Sequence, residues 1–298
     1  MINFMKFKWL FFLISGSILI PGVLSLFLWG VKPAVDFTGG TILELRFSNQ
    51  QSAISNQQLK QAIEEKGFEV SSIQVSGEKT YLLRLKPITK DEAATIKAGL
   101  AETVEEMPEE LRFETVGPTL GRELLIKTLV AVALAAGFIL AYVAWAFKEV
   151  KFGVCAILAM LHDTLILLGS FSLLGRFLGV EVDTLFVTAM LIILSFSVHD
   201  TVVVYDRIRE SQKKFPGAPF VDLVNKAVTE TLSRSLNNSL TIIFMLVAFW
   251  LLGGVTIKWF VVALLIGTIS GTYSSTFTAA PLLVVWEQIK GRKIKTLP

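Results

Sequence analysis

Cysteine is nearly missing from this chain. Cys155 is the one thiol in 298 residues, so no intramolecular disulfide can form, and its place inside an apolar run makes it a small core residue. Histidine is almost as scarce, with two residues in all. Charged residues are 18% of the chain and balance to a net +3, and the basic ones gather at the ends of apolar segments instead of forming one patch, which argues against nucleic acid as a partner. A leader-type cleavage site is also missing: the basic Lys6 and Lys8 precede an apolar run of about 22 residues, longer than a signal-peptide core, and no Ala-x-Ala follows it. That run is expected to stay on the protein as its first span.

Apolar residues fill the space left by charge. The hydrophobic set reaches 53%, with 22 Phe, and the mean hydropathy is +0.62, more than a soluble domain needs for its core. Windows long enough to cross about 30 Å of hydrocarbon fall near 9–30, 124–146, 152–175, 184–205, 236–254 and 258–286, which predicts six transmembrane helices. Short loops on one side carry Lys148, Lys151, Arg207, Arg209, Lys213, Lys214, Lys226 and Arg234, followed by a basic C-terminal tail; those on the other hold Arg176 and Lys258. The positive-inside rule then puts both termini in the cytoplasm of a multi-pass plasma (inner) membrane protein surrounded by lipid. The expected divisions are 1–31, tail and first span; 32–122, an extracytoplasmic domain; 123–290, a five-helix bundle; and 291–298, a cytoplasmic tail.

Within 32–122, residues 41–47 alternate with Leu43, Leu45 and Phe47 on one face, as a half-buried strand would. Residues 56–66 repeat Leu59, Ala62 and Ile63 at helical spacing, and Gly67 follows as a helix-ending glycine. Stretches 69–75 and 80–85 flank a Ser-Gly-Glu-Lys turn as a hairpin, a second helix runs from Thr89 to about Val104, and 112–116 is a last strand. The order βαββαβ predicts a ferredoxin-like α+β domain between the first and second spans. It has no His and no Cys, and its acids belong to helix surfaces or a linker, so no catalytic constellation is expected. Gly39-Gly40 lacks the later Gly and Lys of a phosphate loop and reads as an unhindered turn.

Polar residues inside the spans carry the chemistry. Both histidines sit in the same tripeptide, His162-Asp163-Thr164 in the third span and His199-Asp200-Thr201 in the fourth. A carboxylate at such depth costs about 2.5 to 3.5 kcal/mol on insertion scales, a cost tolerated mainly for function. Each needs a neighbour, which predicts that the third and fourth spans face each other or a hydrated crevice, with Ser195, Ser197, Thr164 and Thr201 as further hydrogen-bonding groups. Two cations compete for Asp200: Arg234, if the fifth helix starts early enough to include it, and Arg207, seven residues on along the same face, next to Asp206. A metal site lacks the usual His spacing, and a membrane aspartyl protease lacks its Gly-x-Gly-Asp pattern. Helix glue explains the groups only structurally, whereas a buried Asp near a cation can alternate between charged and neutral as protons pass. Gly267 and Gly271, with Gly253-Gly254, fit close helix packing, and Pro281 predicts a kink.

VDFTGGT at 35–41, VGPTLGREL at 116–124, MLHDTLILLG at 160–169, SFSVHDTVVVYDRIRE at 195–210 and TLSRSLNNSLT at 231–241 resemble, in order and over nearly the whole chain, the motifs of the SecF family. That family pairs with SecD in bacterial Sec protein export and is related to the resistance-nodulation-division (RND) transporters. The resemblance implies a partnership with SecD and the SecYEG channel, and proton flow coupled to movements of extracytoplasmic domains that hold an emerging preprotein. It implies no cofactor, no metal and no bond-breaking enzyme activity. It puts the proton pathway on Asp200 and Arg234, with Asp163 as a further candidate. His199 stands where the family usually has Asn, which adds a titratable group. The competing expectation is a proton-coupled small-molecule or lipid exporter of the same superfamily, and behind it a purely structural assembly factor.

Overall fold

The computed structural model describes residues 3–48, 55–77, 79–147 and 149–295. Lys148, Glu78 of the hairpin turn and the last three residues of the predicted tail lie outside them. The chain divides into two compact units, one of Met1–Lys32 with Ala131–Pro298 and one of Pro33–Val130.

The smaller unit holds a four-stranded antiparallel sheet. After a single helical turn, α2 (Val35–Thr38), come β1 (Gly40–Arg46), α3 (Asn56–Glu65), β2 (Val70–Gly77), β3 (Thr80–Leu85), α4 (Lys90–Val104) and β4 (Glu109–Val116). The strand order β2-β3-β1-β4 is that of the ferredoxin-like unit, with β1 central, paired to β3 and β4. Leu43, Leu45 and Phe47 are buried as their alternation predicts, and meet Leu59, Ile63, Ile96 and Leu100 from the two helices. Both helices start in capping boxes: Ser55 with Gln58, and Thr89 with Glu92. Gly67, at φ +87°, follows α3. β4 begins three residues before the predicted strand, extended by its pairing of Glu110 and Glu109 with Leu45 and Arg46.

Gly39 and Gly40 have φ of +75° and +146°. A Cβ on Gly39 would stand 2.8 Å from the Cα of Pro118, and one on Gly121 would stand 2.8 Å from the Gly39 nitrogen. The pair therefore lets the entry to β1 pass backbone-to-backbone against the first turn of α5 (Pro118–Ala146), an approach no side chain would allow.

The helices of the larger unit are α1 (Lys8–Trp29), α6 (Val150–Leu178), α7 (Thr184–Lys214), α8 (Phe220–Leu252), α9 (Lys258–Ser274) and α10 (Ala280–Lys295). With α5, and with α9 and α10 counted as one, the described residues provide six helices long and apolar enough to cross a membrane. α7 and α8 run well beyond their apolar windows, because the charged segments that follow or precede the lipid core keep good helix formers and lack a breaker until Pro216 and Pro219. Between α9 and α10, Ser275–Ala279 form a π-helical turn. Pro281, which has no N–H to return to Phe277, supplies its local cause.

Small residues set the packing. A Cβ on Gly169 would lie 2.6 Å from the Cα of Gly22, so α1 and α6 touch backbone to backbone, and Ser25 and Ser172 join them by a 2.6 Å hydrogen bond. Gly267 and Gly271 receive Ile193, Phe196 and Ser197 of α7, as their spacing predicts. Gly253 and Gly254 do not pack helices: Gly253 caps the C-terminus of α8, its N–H bonding to the Phe249 carbonyl, where the chain must turn.

Candidate functional site: two buried aspartates in a serine cradle

Asp163 is 1% exposed on α6, and both of its carboxylate oxygens accept hydrogen bonds. Oδ2 accepts from Ser197 Oγ on α7 at 2.5 Å and from Ser274 Oγ on α9 at 2.5 Å. Oδ1 accepts from Ser270 Oγ at 2.6 Å and is 3.1 Å from His162 Nδ1. Three helices are thus pinned to one carboxyl group. Ser270 and Ser274 are four residues apart and share a face of α9, and Gly267 and Gly271 on that helix bring α7 close enough for Ser197 to reach. His162 is buried too, and its Nε2 has no hydrogen-bond partner.

Asp200 is 7% exposed on α7 and differently served. Its Oδ2 accepts from Ser235 Oγ on α8 at 2.7 Å and from Ser275 Oγ at 2.5 Å, while Oδ1 accepts no hydrogen bond among the described residues. One oxygen is held and one is open. The neighbours Ser274 and Ser275 thus serve different aspartates, Ser274 reaching Asp163 and Ser275 reaching Asp200, at the step where α9 gives way to the π turn.

The third and fourth spans do face each other through their aspartates' surroundings, but serines link them, not a direct contact between the two carboxylates. Neither predicted arginine bonds to Asp200. Arg207 is occupied by Glu230 at 2.6 Å and Glu210 at 2.5 Å, two acids that outcompete a carboxylate two turns deeper in the bundle. Asp206 pairs with Arg209 at 3.1 Å. Arg234 lies inside α8, as its candidacy required, yet its side chain is exposed; its neighbour Ser235 is the residue turned towards Asp200, since successive helical residues point about 100° apart. His199 is exposed as well. Of the four additional polar groups expected nearby, Ser197 joins the site, Ser195 is exposed, Thr164 bonds to its own helix at Met160, and the Thr201 hydroxyl is buried without a partner.

Sequence reasoning missed the donors. Ser235, Ser270, Ser274 and Ser275 were legible as hydroxyls inside apolar spans, with Ser270, Ser274 and Ser275 at i, i+4 and i+5, but a serine in a span costs too little to attract attention. No group of three or more His, Cys, Asp or Glu side chains suited to a metal occurs among the described residues.

Comparison with known proteins gives this geometry a setting. The profile described as protein export membrane protein SecD/SecF, C-terminal, matches residues 95–289, and the SecD/SecF GG motif matches 25–51, the segment containing Gly39-Gly40. The protein translocase subunit SecF of Thermobaculum terrenum is 42% identical, over 96% of this chain and 94% of its own length. That of Anaerolinea thermophila is 38% identical, again over 96% and 94%. The crystal structure of SecDF from Thermus thermophilus, a translocon-associated membrane protein, superposes with a TM-score of 0.83 at 34% identity, over 96% of this chain and 39% of that one.

Proposed function

Since the chain belongs to the SecD/SecF family of protein-export membrane proteins, we propose that it is the SecF-type accessory subunit of a Sec translocase, and that it uses the proton-motive force to assist late steps of preprotein export across the plasma membrane. The observation that carries the proton reading is Asp200 itself. It is buried in an apolar span, its one carboxylate oxygen is fixed by two serines, and its other oxygen is open to a proton. Each charge that crosses a potential of 100 mV releases about 2.3 kcal/mol, so a few protons supply enough work to move a domain.

A SecD-type subunit is the proposed membrane partner. The support is the single SecDF chain of Thermus thermophilus, of which this chain matches 39%. Arg234 adds to it: it is exposed beside Ser235, at the level where that serine meets Asp200, and has no ion-pair partner among the described residues, which leaves it available to a partner subunit. Bound against a partner, Arg234 would complete a proton path with Asp200, while Asp163 would hold the helices around it. His199 lies one residue from Asp200 but faces outward, where it would tune the field at the partner surface. The sheet domain is proposed to lie outside the cytoplasm, with both termini inside, on the strength of the Lys and Arg asymmetry of the loops. There it would hold emerging preprotein from the SecYEG-type channel. No covalent bond is made or broken in this scheme.

The test is reconstitution of the chain with its SecD-type partner and channel in vesicles. Preprotein import should rise when a proton gradient is applied and fall back when an uncoupler removes it. Import indifferent to the gradient would contradict the proposal.

A further inference from the structure

The π turn at the end of α9 is held to α7 at both ends. At its start, Ser275 Oγ donates to Asp200 Oδ2; at its finish, the Ala279 carbonyl accepts from the hydroxyl of Tyr205, a fully buried residue one turn beyond Asp200, at 3.0 Å. π turns replace i→i+4 closure by i→i+5, and they occur often at functional sites. Inside this one, the Thr276 hydroxyl is buried without a partner, so the arrangement leaves one polar group unsatisfied.

Ser275 has a second acceptor within reach. Its Oγ is 3.1 Å from the Thr272 carbonyl of its own helix. While Asp200 is ionised, the bond to the carboxylate is charge-assisted, roughly twice as strong as a neutral one, and holds the hydroxyl. When a proton binds at the open Oδ1, an O–H bond forms there and the charge is gone. The two acceptors of Ser275 are then both neutral carbonyl-type oxygens, and the local one needs no contact across helices. Ser235, which keeps its bond to Oδ2 in either state, has no such alternative among the described residues. Asp163 provides the contrast, because three serine hydroxyls donate to its carboxylate and both of its oxygens are engaged.

We propose that Ser275 is a positioning residue for the proton step: its hydroxyl ties the π turn to ionised Asp200 and lets go to Thr272 when Asp200 is protonated, so that the last span shifts with each proton. This rests on the reading of Asp200 as a proton carrier. The helices packed against α7 carry, among their ionisable groups, His162 and Asp163 on α6, Glu230 and Arg234 on α8, and Tyr273 on α9. On α7 itself stand His199, Tyr205, Asp206 and Arg207. None of them bonds to Ser275, so a response that follows Ser275 and Asp200 together is not theirs.

The full chain in lipid nanodiscs gives the test, with two readings taken across a pH series. Infrared difference spectra follow the protonated carboxyl band of Asp200, identified by its loss in Asp200→Asn, and hydrogen exchange follows the amides of 272–281. In the wild type, exchange in the segment should change at the same pH as the band. In Ser275→Ala the band should still titrate while the exchange change is lost, and Ser275→Thr, which keeps the hydroxyl, should restore it. An exchange change that persists in Ser275→Ala, or a segment that ignores the band in the wild type, would overturn the role of Ser275 alone. A band that never titrates would overturn the proton reading of Asp200 and this inference with it.

Discussion

Asp163 and Asp200 carry the same side chain in the same tripeptide, and their neighbours divide the labour between them. Three serine hydroxyls donate to Asp163, so Asp163→Asn leaves one oxygen to accept from them and turns an amide N–H towards the rest. It should cost on the order of 3 kcal/mol, seen as lower thermal stability of the purified chain, whereas Asp200→Asn keeps an acceptor for Ser235 and Ser275 and should unfold close to the wild type. Equal losses in the two variants would contradict this division. The arginines divide as well. Arg234→Ala should remove the gradient-dependent part of export, and Arg207→Ala, whose partners Glu230 and Glu210 lie away from Asp200, should leave most of it. The reverse result in the same export assay would return Arg207 to the path. The tripeptides themselves were evident in the sequence, since an Asp in an apolar run is conspicuous. Their partners were not, because serine is nearly silent in hydropathy, and because the direction of Arg234 depends on one residue of helical phase.

Among the elements, α4 shows how closely local chemistry can be read in advance. The helix expected from Thr89 does begin there, and the Thr89 hydroxyl and Glu92 carboxylate close a reciprocal box. The bond from the Thr89 N–H, with that from its hydroxyl, holds the Glu92 carboxyl below its ordinary value. A depressed folded value contributes stability that is present above the unfolded carboxylate range and is lost as pH falls through the lowered folded one. Thr89→Ala should speed amide exchange in the first turn of α4, and acid should narrow the difference between variant and wild type without erasing it, because the bond from the Glu92 N–H to the Thr89 hydroxyl does not titrate. A variant that exchanges like the wild type at neutral pH would show the box to be idle. The fifth and sixth spans were less legible. Hydropathy stops where the lipid ends, but α8 begins sixteen residues before its predicted apolar window, at Phe220, because helical propensity continues into water. Pro281 signalled an irregularity in the last span, but not that it would be a π turn bonded to Asp200 and Tyr205 across the helix gap.

At the scale of the whole molecule, a ferredoxin-like domain and a membrane bundle share one chain, and the βαββαβ order and six apolar runs were enough to predict both. The SecD/SecF match over residues 95–289 and the SecF relatives at 42% and 38% identity place that architecture in protein export. The central claim is narrower: a proton on Asp200 is the link between the gradient and export. The most direct measurement is the ratio of preprotein import with and without a proton gradient, in vesicles holding equal amounts of assembled complex, for the wild type and for Asp200→Asn. The account predicts a ratio well above one for the wild type and a ratio of one for the variant, with the gradient-free rate unchanged. A variant that still responds to the gradient as the wild type does would contradict it.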